Sequence, residues 1–450
     1  VLVGAIRLDA RDELVGQLGD ELRVESDAAL VMAAFEKWGE GCAVRLLGDF
    51  AFAVVDTLSH AVLLARDPFG IRSLYYRLEP GRRLIFATEA AQVLAAPRVP
   101  IRPFEPAVAA HLAGPYGNPE WSFYEGVAQL PGGCVLAVGE GGRGRLSRSW
   151  GYEPEVRIRY RDEREYAEHF REIFVRAVTD RLRGSGPVGI QLSGGMDSGS
   201  TASVAGYAAG TLRIEPASIR TYSYAFQDLV DSDERSVSDW IVEAFGFTGV
   251  SVPADHLWPL AGFPDHGPVR DDPFVLVYTA VGDAVRQAAR DDGVGLLLVP
   301  QSGDEVVGTP WVVDYLRLLA ARQPGQLLDE LRSHTSFTDD GMAGIAYRHV
   351  LRPFAGRLRR QLSGAVRRRE IMSTYPPWVR PDFADRAELP ATMAARDRAR
   401  KEAPGAGSTR YRTIFSVPLQ RWATDLERRH ARLGLGYSDP FSDRRVVEFV

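Results

Sequence analysis

The strongest constraint on this chain is residues 188–200, Val-Gly-Ile-Gln-Leu-Ser-Gly-Gly-Met-Asp-Ser-Gly-Ser. The apolar run ending at Leu192 predicts a buried strand, and the small residues that follow Ser198 begin a helix, so strand, tight turn and helix join without a spacer. Without side chains at Gly194 and Gly195 the backbone can approach an anion closely, while free amides and the positive end of the helix dipole point at it. Such a loop holds phosphate. It is not the lysine-bearing phosphate loop of many nucleotide enzymes, because Asp197 stands where the lysine would be expected. A carboxylate beside a phosphate needs a divalent cation between them, so magnesium pyrophosphate is the expected ligand.

The pattern after this loop alternates. Strands are expected at 221–226, 248–252 and 294–299, and helices at 162–183, 233–245 and 274–290, the first with Tyr166, Phe170, Ile173, Phe174, Ala177, Val178 and Leu182 on one core face. Continuous apolar strands alternating with helices imply an α/β doubly wound parallel sheet over residues 151–450. Ligands of such sheets bind beyond the carboxyl ends of the strands, which gathers residues 193–198, 222–226 and 300–305 at one edge. There Asp304 and Glu305 form a second acidic group, and Asp304 is expected to share magnesium with Asp197. Gln301 can orient a substrate but cannot take a proton at neutral pH, so the general base is another group.

Residues 1–150 read differently. Short strands are expected at 1–7, 50–56, 61–66, 73–78 and 83–87, with one amphipathic helix near 26–39 capped by Ser26, which argues for an α+β domain.

Several strings then carry family resemblances. Ser-Gly-Gly-Met-Asp-Ser resembles the pyrophosphate loop of the N-type ATP pyrophosphatases, which adenylate a carboxyl group. Leu47-Gly48-Asp49-Phe50, Ala65-Arg66-Asp67-Pro68-Phe69-Gly70-Ile71-Arg72 and Phe86-Ala87-Thr88-Glu89 resemble the glutaminase-like (Ntn-type) domain of the asparagine synthetase superfamily. Two departures matter. That domain uses an N-terminal cysteine nucleophile and an Asn-Gly-Glu segment for glutamine; no cysteine stands near Val1, and Val3-Gly4-Ala5 occupies the segment. Asp27 matches another substrate-contacting position. Since Val3 and Ala5 cannot pair with glutamine's polar groups, the domain is read as a degenerate remnant without glutaminase activity.

In the second half, 301–305 is similar to the superfamily's Gly-Glu-Gly-Ala-Asp-Glu segment, with Gln301 where asparagine synthetases carry Glu and β-lactam synthetases carry Tyr. Tyr224 lies where the resemblance implies an adenine pocket. Asp271-Asp272-Pro273-Phe274 resembles an acidic-Pro turn, and Ser438-Asp439-Pro440-Phe441-Ser442-Asp443 resembles an Arg-x-Pro-Phe-Leu-Asp element. There Gly436-Tyr437-Ser438 replaces a Glu-x-Arg that helps form the acceptor pocket, so a different acceptor is expected. A phosphate-contacting lysine implied beyond Val450 has no counterpart here; Lys401 lies in 401–408, whose composition predicts a mobile loop. The string Pro376-Pro377-Trp378-Val379-Arg380-Pro381-Asp382-Phe383, after an arginine-rich helical stretch within 310–361, resembles the actinobacterial lasso peptide cyclases.

The resemblance implies ATP and Mg2+ as cofactors. It implies Leu192, Ser193, Gly194, Gly195, Met196, Asp197, Ser198 and Tyr224 as nucleotide contacts, Asp197 and Asp304 as metal ligands, and Asp197, Asp304, Glu305 and Gln301 as catalytic candidates. The expected activity is lasso peptide macrocyclisation: an Asp or Glu side chain of a ribosomal precursor peptide is adenylated, and the peptide's own N-terminal amine closes an isopeptide ring. A leader peptidase and a leader-recognition protein are the implied partners. β-Lactam synthesis, asparagine synthesis and a non-catalytic peptide scaffold are the rival readings.

Bulk properties narrow the field. A net charge of −5 gives no reason to expect nucleic-acid binding, and the clusters at 357–360 and 367–369 are read as a solvated helix face. No apolar run is long enough to span a bilayer and no signal peptide opens the chain, so a cytoplasmic setting is expected. Two distant cysteines, Cys42 and Cys134, predict neither a disulfide framework nor a zinc site. The chain opens on Val1 without an initiator Met, which leaves room for a missing N-terminus.

Overall fold

The computed structural model describes residues 1–19, 26–114, 117–139, 141–153, 156, 158–183, 187–260, 273, 278–308, 315, 319, 324–335, 341–352, 355, 375–402 and 406–450. They divide into two compact units. One comprises Val1–Phe104, Asn118–Val307 and Thr413–Val450, and the other Glu105–Gly117 and Gly308–Arg412.

The first unit opens on an antiparallel sheet of β1 (Leu2–Leu8), β2 (Gly48–Val55), β3 (Val62–Arg66), β7 (Cys134–Val138) and β8 (Gly144–Arg148), in the order β1-β2-β3-β7-β8. A second antiparallel group joins β4 (Tyr75–Glu79), β5 (Arg83–Ala87) and β6 (Ala128–Gln129) in the order β5-β4-β6. The sequence of β2 explains the layering. Phe50, Phe52 and Val54 point to one face, where they bury against Leu30, Val31 and Ala34 of the helix Asp27–Trp38. Ala51 and Ala53 point to the other, and their small size admits the second strand group through Leu74, Leu78 and Phe86. Ser26 caps the helix by accepting from the Ala29 amide at 3.2 Å, as its sequence predicts.

Asp27, which matches a substrate-contacting position, is engaged at the end of the first strand. Its carboxylate accepts the Leu8 amide at 2.9 Å and pairs with Arg11 at 3.2 Å, so it closes the end of β1.

The parallel sheet runs β11-β10-β9-β12-β13, where β9 is Val188–Gln191, β10 Ile219–Ala225, β11 Thr248–Pro253, β12 Leu296–Leu298 and β13 Gly436–Ser438. All its recorded pairs are parallel, and the doubly wound expectation is met. The chain winds outward from β9 in one direction, then returns to β12 on the other side. This makes the gap between β9 and β12 the switch point where a crevice opens. Helices expected at 162–183 and 233–245 are Glu163–Arg181 and Arg235–Phe245; that expected at 274–290 is described from Thr279 to Asp291.

Two buried arginines fasten the antiparallel layers to the parallel sheet. Arg66 donates to the Arg72 and Leu130 carbonyls at 2.6 Å, to Gly70 O at 2.7 Å and to Thr424 Oγ1 at 2.9 Å on the helix Val417–Arg432. Gly70 has φ +68°, and a β-carbon there would crowd the Arg66 guanidinium, so glycine is required twice over. Arg181 donates to Asp443 Oδ2 at 2.9 Å and Ser438 Oγ at 3.0 Å, and pairs with Asp9 at 3.2 Å. Ser438 in turn donates to Asp49 Oδ2 at 2.6 Å.

In the second unit, Val379, Ala384, Ala387, Leu389 and Met393 cluster with Ala109, and Trp378 donates to the Leu112 carbonyl at 3.0 Å. Lys401 corrects the loop expectation: it lies in the helix Leu389–Glu402, whose alanine- and arginine-rich sequence favours helix up to the approach of Pro404. Asp271, Asp272 and Phe274, the two arginine clusters and much of 310–361 lie outside the described residues.

Replacing Arg181 by Met removes the buried cation between Asp9 and Asp443 and leaves Arg7 and Arg445 as their remaining partners, and the expected loss is about 3 kcal/mol by urea denaturation. A second prediction concerns His430, whose Nδ1 faces the Leu426 carbonyl at 2.6 Å. Burial, then the Arg286 charge, push it from 6.5 down to about 3. The unfolded chain therefore binds a proton that the native state refuses, and stability falls as pH drops from 6.5 towards 3. His430→Gln should flatten that slope by one proton, about 1.4 kcal/mol per pH unit, in denaturation curves taken across the window.

Candidate active site

Strand β9 delivers Leu192 into the sheet, where its amide donates to the Tyr222 carbonyl at 2.9 Å. The chain then turns sharply through Ser193-Gly194-Gly195 into the helix Met196–Leu212. Ser198 stitches the turn closed. Its hydroxyl accepts from the Ser193 amide at 3.0 Å, meets Ser193 Oγ at 2.9 Å and donates back to the Ser193 carbonyl at 3.1 Å. Gly195 N donates to Ser193 Oγ at 3.2 Å, and Gly194 N to the Glu234 carboxylate at 2.9 Å. Beyond these, helix geometry leaves the first-turn amides of Met196, Asp197 and Ser198 as open donors. The Met196 side chain is exposed.

Across the switch point, β12 leads through Pro300 into the short helix Gly303–Val306. Gly303 is buried, and a β-carbon there would overlap the Asp197 carboxylate. This is the close approach that brings the two acidic loops together. Burial raises the Asp197 pKa, and the charges of Asp304 and Asp439 raise it further. Glu305 is raised by burial, with Asp304, Asp439 and Asp197 adding to it, and its Oε2 is buried without a hydrogen-bond partner among the described residues. Carboxylates held this close, with hard oxygen donors, suit a divalent cation that also takes phosphate oxygens. Asp197 and Asp304 are the pair that could hold it. Among the described residues no group of three or more His, Cys, Asp or Glu is arranged as a metal cage.

Gln301 is exposed at the mouth of this loop. Tyr224 lies on the neighbouring strand, and its hydroxyl accepts from Gln191 Nε2 at 2.7 Å, so that group is engaged within the sheet.

Sequence reasoning missed the residue that holds the acidic loop. Asp439, fully buried at the end of β13, accepts from the Ser302 amide at 2.9 Å, Ser302 Oγ at 2.6 Å and the Gln301 amide at 3.3 Å through Oδ2. Its Oδ1 accepts the Phe441 amide at 3.0 Å. The signal was present: an Asp-Pro pair just after a strand favours this kind of side-chain-to-backbone turn. Asp255 was missed likewise; it gathers the amides of Gln227, Asp228 and Leu229 below β10.

Comparison with known proteins bears on this geometry. A glutamine amidotransferase domain model matches residues 8–150, and an asparagine synthase model matches residues 169–450. The chain is 27% identical over 303 residues to the amidase chry2 of Gibberella zeae, covering 65% of this chain and 44% of that protein. It is 28% identical over 251 residues to the glutamine-hydrolysing asparagine synthetase 3 of Bacillus subtilis, covering 53% and 40%. Against the carboxyethyl-arginine β-lactam synthase of Streptomyces clavuligerus it is 34% identical over 203 residues, covering 45% and 36%. The matched stretches span less than half the length of each of these relatives.

Asp439→Asn takes an acceptor from Ser302, and turnover at this crevice should fall about 10- to 100-fold. Steady-state kinetics alongside a thermal melt separate this from simple unfolding.

Proposed function

Because this chain belongs to the asparagine synthase family, we propose that it is an AMP-forming amide ligase, and that it closes a macrolactam ring in a ribosomally made peptide of the lasso type. The observation that carries the ligase reading is the packing of Asp197 against Gly303, which joins the pyrophosphate loop to the acidic loop at the switch point of the parallel sheet.

In this reading a carboxylate oxygen of a peptide Asp or Glu attacks the α-phosphorus of ATP, and the bond to the β-phosphate oxygen breaks. Pyrophosphate leaves towards residues 193–198, where the open amides of the helix Met196–Leu212 stabilise its charge. Asp197 and Asp304 would hold Mg2+, which when bound neutralises charge developing on the phosphates. The peptide's α-amine then attacks the acyl carbon, its proton passes to a base, and AMP departs. Holding amine and acyl group on one peptide supplies the proximity advantage.

The cyclase reading rests on the amine source. Val3 and Ala5 lie in β1, paired with Ala53 and Ala51, and neither side chain can hydrogen-bond glutamine. An amine carried by the substrate removes the need for ammonia. Trp378 and the Pro-rich segment around it add the likeness to lasso peptide cyclases. The Streptomyces relative favours β-lactam synthesis as a second reading, against which stands the non-basic Gln301.

Incubation with Mg-ATP and a leader-trimmed candidate peptide, followed by mass spectrometry, tests this. The expected product has lost one water, AMP appears in equal amount, and Asp197→Asn abolishes both. AMP formed only with a free amino acid would move the enzyme to small-molecule ligation.

A further inference from the structure

The pyrophosphate loop already holds an anion of its own. Gly194 N, one of the amides that should face a phosphate, donates instead to Glu234 Oε2 at 2.9 Å. Glu234 immediately precedes the helix Arg235–Phe245, which follows β10, the strand beside β9. A β-carbon on Gly194 would crowd the Glu234 β-carbon, so the loop glycine accommodates this side chain as well as any ligand. The nearest cation in sequence does not neutralise Glu234: Arg235 is committed to Asp233, with Nε at 2.9 Å and Nη2 at 2.5 Å from its carboxylate oxygens. The other two amides of the turn have uncharged acceptors, Ser198 Oγ for Ser193 and Ser193 Oγ for Gly195. Among the three, Glu234 alone brings a full negative charge to where pyrophosphate would sit.

We propose that Glu234 is a resident anion of this loop, displaced from Gly194 by the polyphosphate of ATP and competing with it and with released pyrophosphate. This rests on the loop's being the pyrophosphate site proposed above. In the empty loop the carboxylate keeps the Gly194 amide turned outward as a donor. When polyphosphate arrives, the acceptor changes and two negative charges meet within a few ångströms, which weakens retention of both substrate and product. Glu234 thus acts as a positioning residue that tunes affinity and takes no part in bond making.

The test uses the full chain and calorimetric titration with Mg-ATP and, separately, magnesium pyrophosphate. Glu234→Gln keeps the size and one acceptor oxygen but removes the charge. The expected result is about three- to ten-fold tighter binding of both ligands, with the gain shrinking as salt rises from about 0.05 to 0.5 M because exposed charges are screened. Unchanged or weaker binding by Glu234→Gln, with the wild-type protein binding normally, overturns the displacement and leaves the ligase reading intact. No binding of either ligand to the wild type overturns the site assignment and the present proposal with it. Glu234→Asp, which retains the charge on a shorter arm, should not reproduce the gain; if it does, contact geometry and not charge sets the affinity, and the proposal fails.

Discussion

The guanidinium of Arg181 is the interaction on which the rest depends. It sits at 1% exposure between Asp9 from the first strand layer and Asp443, the cap of the helix Arg444–Phe449, and it also reaches Ser438. Burying that charge is expensive unless it is paired and every donor is used. The solution recruits segments hundreds of residues apart in sequence. Ser438 then hands the network to Asp49, while the next residue, Asp439, turns the other way to hold Ser302 and the acidic loop. One buried cation therefore fixes both the domain junction and, two residues removed, the geometry of the crevice. Networks of this kind are strong only when complete, which is why their members come from so many elements.

The same network gives the first domain a structural role. Asp9, Asp49, Arg66 and Arg72 are its contributions to the junction, and Arg72 pairs with Glu427 at 3.0 Å on the helix Val417–Arg432. The domain supplies counter-charges that the parallel-sheet half needs, whatever chemistry it performs.

Much of the fold was legible in the sequence because hydrophobic periodicity is local. β2, the helix capped by Ser26 and the strand-to-helix turn at 188–200 are each specified by a dozen neighbouring residues. The turn at 193–198 was legible for the same reason. Three features were not. β13 has three residues, Gly436, Tyr437 and Ser438, and no apolar run; it is a strand only because β12 offers an open edge. The helix Val417–Arg432 is rich in charge, yet Glu427, Arg428, Arg429 and His430 are buried, and they find partners that sequence cannot locate, such as Tyr75 for Arg428 and Asp283 for Arg429. The hold of Asp27 on the Leu8 amide was not legible, because a match to a binding position and a strand clasp leave the same residue in the sequence. Periodicity reports burial of carbon; it is silent about paired charge.

The order of strands in the parallel sheet carries a consequence in time. β12 lies between β9 and β13, and the acidic loop that follows it hangs from Asp439. While the chain is being made, the 193–198 turn and the strands β9, β10 and β11 emerge first and can pair at once. The acidic loop has no support until a segment more than a hundred residues later has left the ribosome. A nascent chain thus carries the 193–198 turn before the loop that packs against it is held in place. The acidic loop takes its place only once Gly436–Ser438 has joined β12, so a nascent chain halted before Gly436 holds one side of the switch point without the other.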